Sequence, residues 1–143
     1  MPLFHGSNVD NITLLDPQKG VFDPSPYMGI FPDGLKVHKE VVWLTNDFEV
    51  AVAFAMKGVV DDLIVDSVNQ VLYLKGGRPI SEDDIGYVYT VEDTASCVAV
   101  NDVELFSEMP LKPVHCQAVG LADFRRYRLE WGLQFPFDDP QPE

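Results

Sequence analysis

The stretch Val41-Val42-Trp43-Leu44-Thr45-Asn46-Asp47-Phe48-Glu49-Val50-Ala51-Val52-Ala53-Phe54-Ala55 decides the fold. Val41 to Leu44 are β-branched, aromatic and apolar, which predicts a strand. Thr45-Asn46-Asp47 then opens a helix. Asn46 followed three positions later by Glu49 is a capping-box variant with Asn in place of Ser or Thr. Phe48, Ala51, Val52 and Ala55 recur at helical spacing, and Gly58 is the expected C-terminal glycine. A strand running straight into an Ala-rich helix is therefore the clearest unit in the chain.

Upstream, Leu3-Phe4-His5 reads as a short strand entering a turn at Gly6-Ser7-Asn8, and Ile12 to Leu15 is a second apolar patch. Residues 16 to 39 are rich in Pro, Gly and Asp and read as a long loop. Loops of that length in a compact domain usually carry function. Downstream, residues 59 to 74 suggest a short helix followed by a strand. Ser81 to Asp84 suggests a turn or short helix. Gly86 to Glu92 alternates and is a strand, with further strands expected at Cys97–Val100, Glu104–Phe106 and Val114–Val119. Phe124 to Leu133 is expected to close the domain as strand or helix, and residues 135–143 form a Pro- and Asp-rich tail.

This order predicts one α+β domain over residues 1–134, built on a split antiparallel β-sandwich with few helices. A length of 143 residues suffices for a core without disulfides or metals. The two cysteines, Cys97 and Cys116, lie in apolar stretches and are expected as buried thiols in a reducing compartment. Neither forms a Cys-x-x-Cys pair, so no metal site is expected. No apolar run approaches the ~20 residues of a membrane span, and the N-terminus lacks signal-peptide character, so a cytoplasmic location is expected. The net charge of −13 repels nucleic-acid phosphates and anionic membranes. It favours a basic partner. Exposed strand edges leave a homodimer open.

Three ordered stretches resemble the ADP-ribosyltransferase superfamily, including its small rifamycin-modifying members of bacterial or phage type. They are Phe4-His5-Gly6-Ser7 followed by Ile12-Thr13-Leu14-Leu15-Asp16-Pro17; Val42-Trp43-Leu44-Thr45-Asn46-Asp47 running into the helix Ala51 to Ala55; and Gly86-Tyr87-Val88-Tyr89-Thr90-Val91-Glu92 followed by Asp102 to Pro113. The resemblance spans roughly residues 3 to 119. It implies NAD as substrate, with ADP-ribose passed to an acceptor that the sequence does not identify. It also implies a catalytic set of a His, an aromatic and a third acidic or polar residue. His5 matches the first. Trp43 falls where a tyrosine is usual, with Tyr27 or Tyr87 as other sources of a phenol. Glu104 is the first choice for the third, beside Asp102 and Glu108. NAD contacts are expected from His5, Gly6, Ser7, Tyr27 and Trp43, with Arg78, Lys75 or Lys36 near the pyrophosphate. His38 and His115 carry no motif. The missing tyrosine and the acidic surface also fit a non-catalytic module that binds a nucleotide-like ligand or a basic protein.

Overall fold

A computed structural model describes residues 2–17, 41–56 and 59–132. Tyr27, Lys36, His38, Gly58, most of the 16–39 segment and the 135–143 tail lie outside the described residues. The strands are β1 (Leu3–Ser7), β2 (Val42–Thr45), β3 (Asp62–Asp66), β4 (Val71–Lys75), β5 (Gly86–Val91), β6 (Cys97–Ala99), β7 (Glu104–Ser107), β8 (His115–Val119) and β9 (Arg128–Gly132), with one α-helix, α1 (Phe48–Ala55). Six strands form one sheet in the order β6-β7-β2-β1-β5-β8. Three form a second in the order β3-β4-β9. All pairings are antiparallel except β4 with β9. The fold is thus mostly antiparallel sheet with a single α-helix among the described residues. No described helix is long and apolar enough to cross a membrane.

The helix packs on β1, β5 and β2 of the large sheet and touches β3 of the small one. Its Val50, Ala51, Val52, Ala53 and Ala55 share one core with Val88 and Val119 of the large sheet and Leu63, Leu72 and Leu74 of the small sheet. The small side chains are required. A Cβ placed on Gly6 would overlap the Ala51 carbonyl oxygen, and one on Gly86 would overlap the Ala55 carbonyl oxygen. Two glycines on adjacent strands thus let the helix backbone rest directly on the sheet.

Several expectations are corrected. Residues 59–74 hold no helix where they are described: Asp62–Asp66 and Val71–Lys75 pair as a hairpin. Its turn is closed by Asp66, which accepts from the Asn69 backbone and side chain at 3.0 and 2.9 Å. The β-branched residues 64, 65, 68 and 71 outweigh the partial helical spacing. Gly6 and Ser7 belong to β1, not to a turn. The helix N-cap is Asp47, whose side chain accepts from the Glu49 amide. Asn46 instead donates through Nδ2 to the Asp102 carbonyl at 2.8 Å. Cys116 is exposed and Cys97 half-buried. Burial, helped by Asp93, pushes the Cys97 thiol above its ordinary value.

Glu49 does not close a capping box. Its carboxylate is buried and accepts from the backbone amides of Arg125, Arg126 and Tyr127 at 3.0 to 3.1 Å. Arg126 Nε adds a 3.3 Å ion pair. Asp47 beside it takes Arg126 Nη2 at 2.6 Å and the Tyr127 hydroxyl at 3.0 Å. Burial and the Asp47 bond push the Tyr127 phenol up to about 12. Successive backbone amides converging on an anion form a nest, here filled by the chain itself. It fastens the segment entering β9 to the first turn of α1.

Two variants test this packing. Gly86→Ala should cost about 1–3 kcal/mol, the usual penalty of overpacking, and a melting curve unchanged from wild type would refute the direct helix seat. Glu49→Gln presents an amide donor to three amide donors. It should cost about 3–5 kcal/mol, as when one partner of a buried pair is removed; chemical denaturation measures it, and a loss no larger than that of an exposed carboxylate variant would refute the nest.

Candidate functional site

Antiparallel ladders aim the backbone groups of alternate residues at alternate neighbours. The Asn46 amide donates to the Val103 carbonyl at 3.1 Å. Val42 and Leu44 therefore turn their backbone groups toward β7, and Trp43 and Thr45 turn theirs toward β1. On the other side, Val114 donates to the Thr90 carbonyl at 2.8 Å. Tyr87, Tyr89 and Val91 then face β1, where they oppose Ser7, His5 and Leu3. Phe4 and Gly6 are left to face β2.

Between β1 and β2 the ladder is a single pair, Phe4 opposite Thr45. The next pair in phase would join Gly6 to Trp43, and it does not form. Instead His5 Nδ1 lies 2.6 Å from the Trp43 carbonyl oxygen. A carbonyl only accepts, so Nδ1 carries the proton. In the neutral ring this leaves the lone pair on Nε2. The sheet is thus interrupted beside Gly6, and the imidazole bridges the break.

Side chains alternate across β1. Phe4 and Gly6 meet the helix; Leu3, His5 and Ser7 leave by the other face, beside Tyr87 and Tyr89. A cavity of about 560 Å³ opens there, within the usual range for small-molecule sites. His5, Ser7 and Val42 line it from the sheet, and Asn8, Val9 and Ile12 from the loop after β1.

The candidate residues divide between the two faces. The order β7-β2-β1 sets the strands of Glu104, Trp43 and His5 side by side. His5 and Ser7 line the cavity. Gly6 has its backbone at the break and the helix above its Cα. The Trp43 ring leaves from the helix-side face, 5.9 Å from the Phe106 ring. Glu104 opposes Thr45, so its carboxyl leaves by that same helix-side face and accepts from Asn101 Nδ2 at 3.1 Å. Burial pushes the Glu104 carboxyl above its ordinary value against the Asn101 bond, and the charge of Asp62 adds to the rise. Asp102 offers its carbonyl to Asn46. Arg78 is held by Asp84 at 2.6 and 2.8 Å, which holds the Asp84 carboxyl well below the usual range. Lys75 ends β4 opposite Asp62, and His115 is exposed on β8. Among the described residues no group of three or more His, Cys, Asp or Glu side chains is placed to hold a metal ion.

Tyr89 was not among the expected site residues, although the alternation of Tyr87 and Tyr89 with Val88 places both phenols on one face. In the loop wall, Ile12 belongs to an apolar patch that the resemblance includes, whereas Asn8 and Val9 are not among the expected site residues. No family model, curated protein or solved structure matches the chain.

Burial of Glu104 favours its protonated form in the folded protein. The folded state holds this proton more tightly than the unfolded chain. Stability therefore falls as pH rises from the ordinary carboxyl range through the raised folded value. Glu104→Gln should be more stable than wild type near neutral pH, and the gap should close in acid. Thermal melts across pH read this directly; a gap independent of pH would refute it.

Proposed function

We propose that this chain binds NAD and passes ADP-ribose to an acceptor, or hydrolyses NAD when water is the acceptor. One observation carries the reading: an imidazole with a fixed tautomer, bonded through Nδ1 to the Trp43 carbonyl, beside a ligand-sized cavity at an interrupted ladder. In this reading the nicotinamide carboxamide pairs with the Gly6 backbone edge, as a peptide of a neighbouring strand would. His5 Nε2 accepts from a ribose hydroxyl. On the imidazole's face the aromatic ring next to Ser7 is Tyr87, while the Trp43 ring lies on the helix side against Phe106.

The chemistry breaks the bond between ribose C1′ and the nicotinamide nitrogen, and nicotinamide leaves with the bonding pair. The sugar becomes oxocarbenium-like. An acceptor oxygen or nitrogen bonds to C1′ and gives its proton to a base, for which Glu104 is the candidate. A second reading keeps the binding and drops the transfer: an acidic module for a nucleotide-like ligand or a basic protein. The observation favouring it is that the Trp43 ring and the Glu104 carboxyl leave by the face opposite the imidazole.

His5→Asn is the informative variant. An Asn amide keeps a donor near the Nδ1 position and removes Nε2. Melting should change little, while NAD affinity, read by calorimetry or saturation-transfer NMR, should fall by more than about tenfold, or ~1.4 kcal/mol. Nicotinamide release from the wild type separates the readings: binding with release supports transfer, and binding without release selects the module. No binding at millimolar NAD would reject the reading.

A further inference from the structure

Tyr89 is fully buried in the middle of β5, and a buried hydroxyl is costly unless it is bonded. This one is bonded twice. It donates to the Val9 carbonyl at 2.6 Å and accepts from the Ile12 amide at 3.1 Å. Both partners belong to the cavity wall, and Tyr89 itself does not line the cavity. Between them, Asn11 takes a left-handed backbone with φ of 61°, a turn conformation that Asn tolerates better than most residues bearing a Cβ. The Val9 amide is also held, by Ser7 Oγ at 3.1 Å. At the far end of the segment, Leu15 and Leu111 exchange backbone bonds of 2.8 and 3.0 Å. The wall from Val9 to Leu15 is thus suspended between the Tyr89 hydroxyl and the Leu111 backbone. The Tyr89 ring directly opposes His5 in the ladder, with ring centroids 6.5 Å apart.

We infer that Tyr89 is a positioning residue for the cavity: one ring sets both the loop wall and the neighbour of the imidazole, so that ligand affinity depends on a hydroxyl no ligand touches. The choice of NAD as probe rests on the proposed function; the latch itself does not. Phenylalanine at this position would fill the same core and leave the Val9 carbonyl and Ile12 amide to compete for water.

Tyr89→Phe is measured by two independent readouts. Amide hydrogen exchange on the ligand-free protein should speed up at Ile12 by about tenfold or more, through local opening of the wall, and stay unchanged in β7. The dissociation constant for NAD should rise about tenfold, as expected for a loosened binding wall. The ¹⁵N signature of the His5 Nδ1–H tautomer should persist. Ser96→Ala removes a hydroxyl bonded to Ser107 at 2.8 Å near the far edge of the sheet, and serves as a stability control that should leave NAD affinity intact. Unchanged exchange at Ile12 overturns the latch, whether or not NAD binds. Equal weakening of NAD by Ser96→Ala overturns the positioning role, since global stability would then explain it. Failure of the wild type to bind NAD, with faster exchange at Ile12 in Tyr89→Phe, rejects the functional reading and keeps the latch.

Discussion

The direct seat of α1 on Gly6 and Gly86 is the constraint from which the site follows. A helix whose backbone touches the sheet fills the space above β1 and β5 on one side. Phe4, Gly6 and Val88 are committed to that side. The alternation of a strand then sends His5, Ser7, Tyr87 and Tyr89 to the other face, where no helix competes for room. The cavity owes its place to this division. A bulkier residue at 6 would lift the helix and loosen the strand that presents the imidazole. Glu49 guards the same arrangement from the other end, because its carboxylate ties the first helical turn to the chain entering β9.

The sequence showed the parts whose signals are local. The strand–helix unit around Trp43 and Phe48 was legible from residue type and spacing, and the alternation around Tyr87 and Tyr89 predicted both a strand and a shared face. What failed was long-range. Asn46 and Glu49 have capping-box spacing, yet Asp47 caps the helix and Glu49 reaches Arg125, Arg126 and Tyr127, more than seventy positions away. No local pattern encodes such a partner. Residues 59–74 misled for another reason: apolar residues at near-helical spacing fit either element, and the pairing of Leu63 with Leu74 and of Val65 with Leu72 decides for the hairpin. Gly6 is an expected NAD contact, yet its lack of a Cβ already answers a demand of the fold, the helix above it.

The candidate site was legible as a list and not as an arrangement. The sheet order brings the strands of His5, Trp43 and Glu104 together, which three separated segments could only suggest. Their side chains nevertheless divide between two faces, and this follows from register alone. His5 opposes Tyr89 on one side, while Trp43 opposes Phe106 and Glu104 opposes Thr45 on the other. Shifting any pairing by one residue would exchange the faces. A motif records residue identity and spacing; it does not record phase.

That division sharpens what the break between β1 and β2 must do. If the two faces are to act on one molecule, the molecule has to lie in the plane of the sheet, at the gap, because only there do groups from both faces come within reach. At that break the Trp43 carbonyl is already engaged by the imidazole. Under the proposed function, a flat ring bearing a carboxamide would suit that position, since a carboxamide carries the donor and acceptor of a peptide group. The net charge of −13 presses in the same direction, because it disfavours phosphates wherever no cation faces them. The described cavity wall includes no Arg or Lys. Under the proposed function, the interrupted ladder is where the nicotinamide end of the dinucleotide would sit, and the affinity for that end would rest on how rigidly the imidazole and the wall beside it are held.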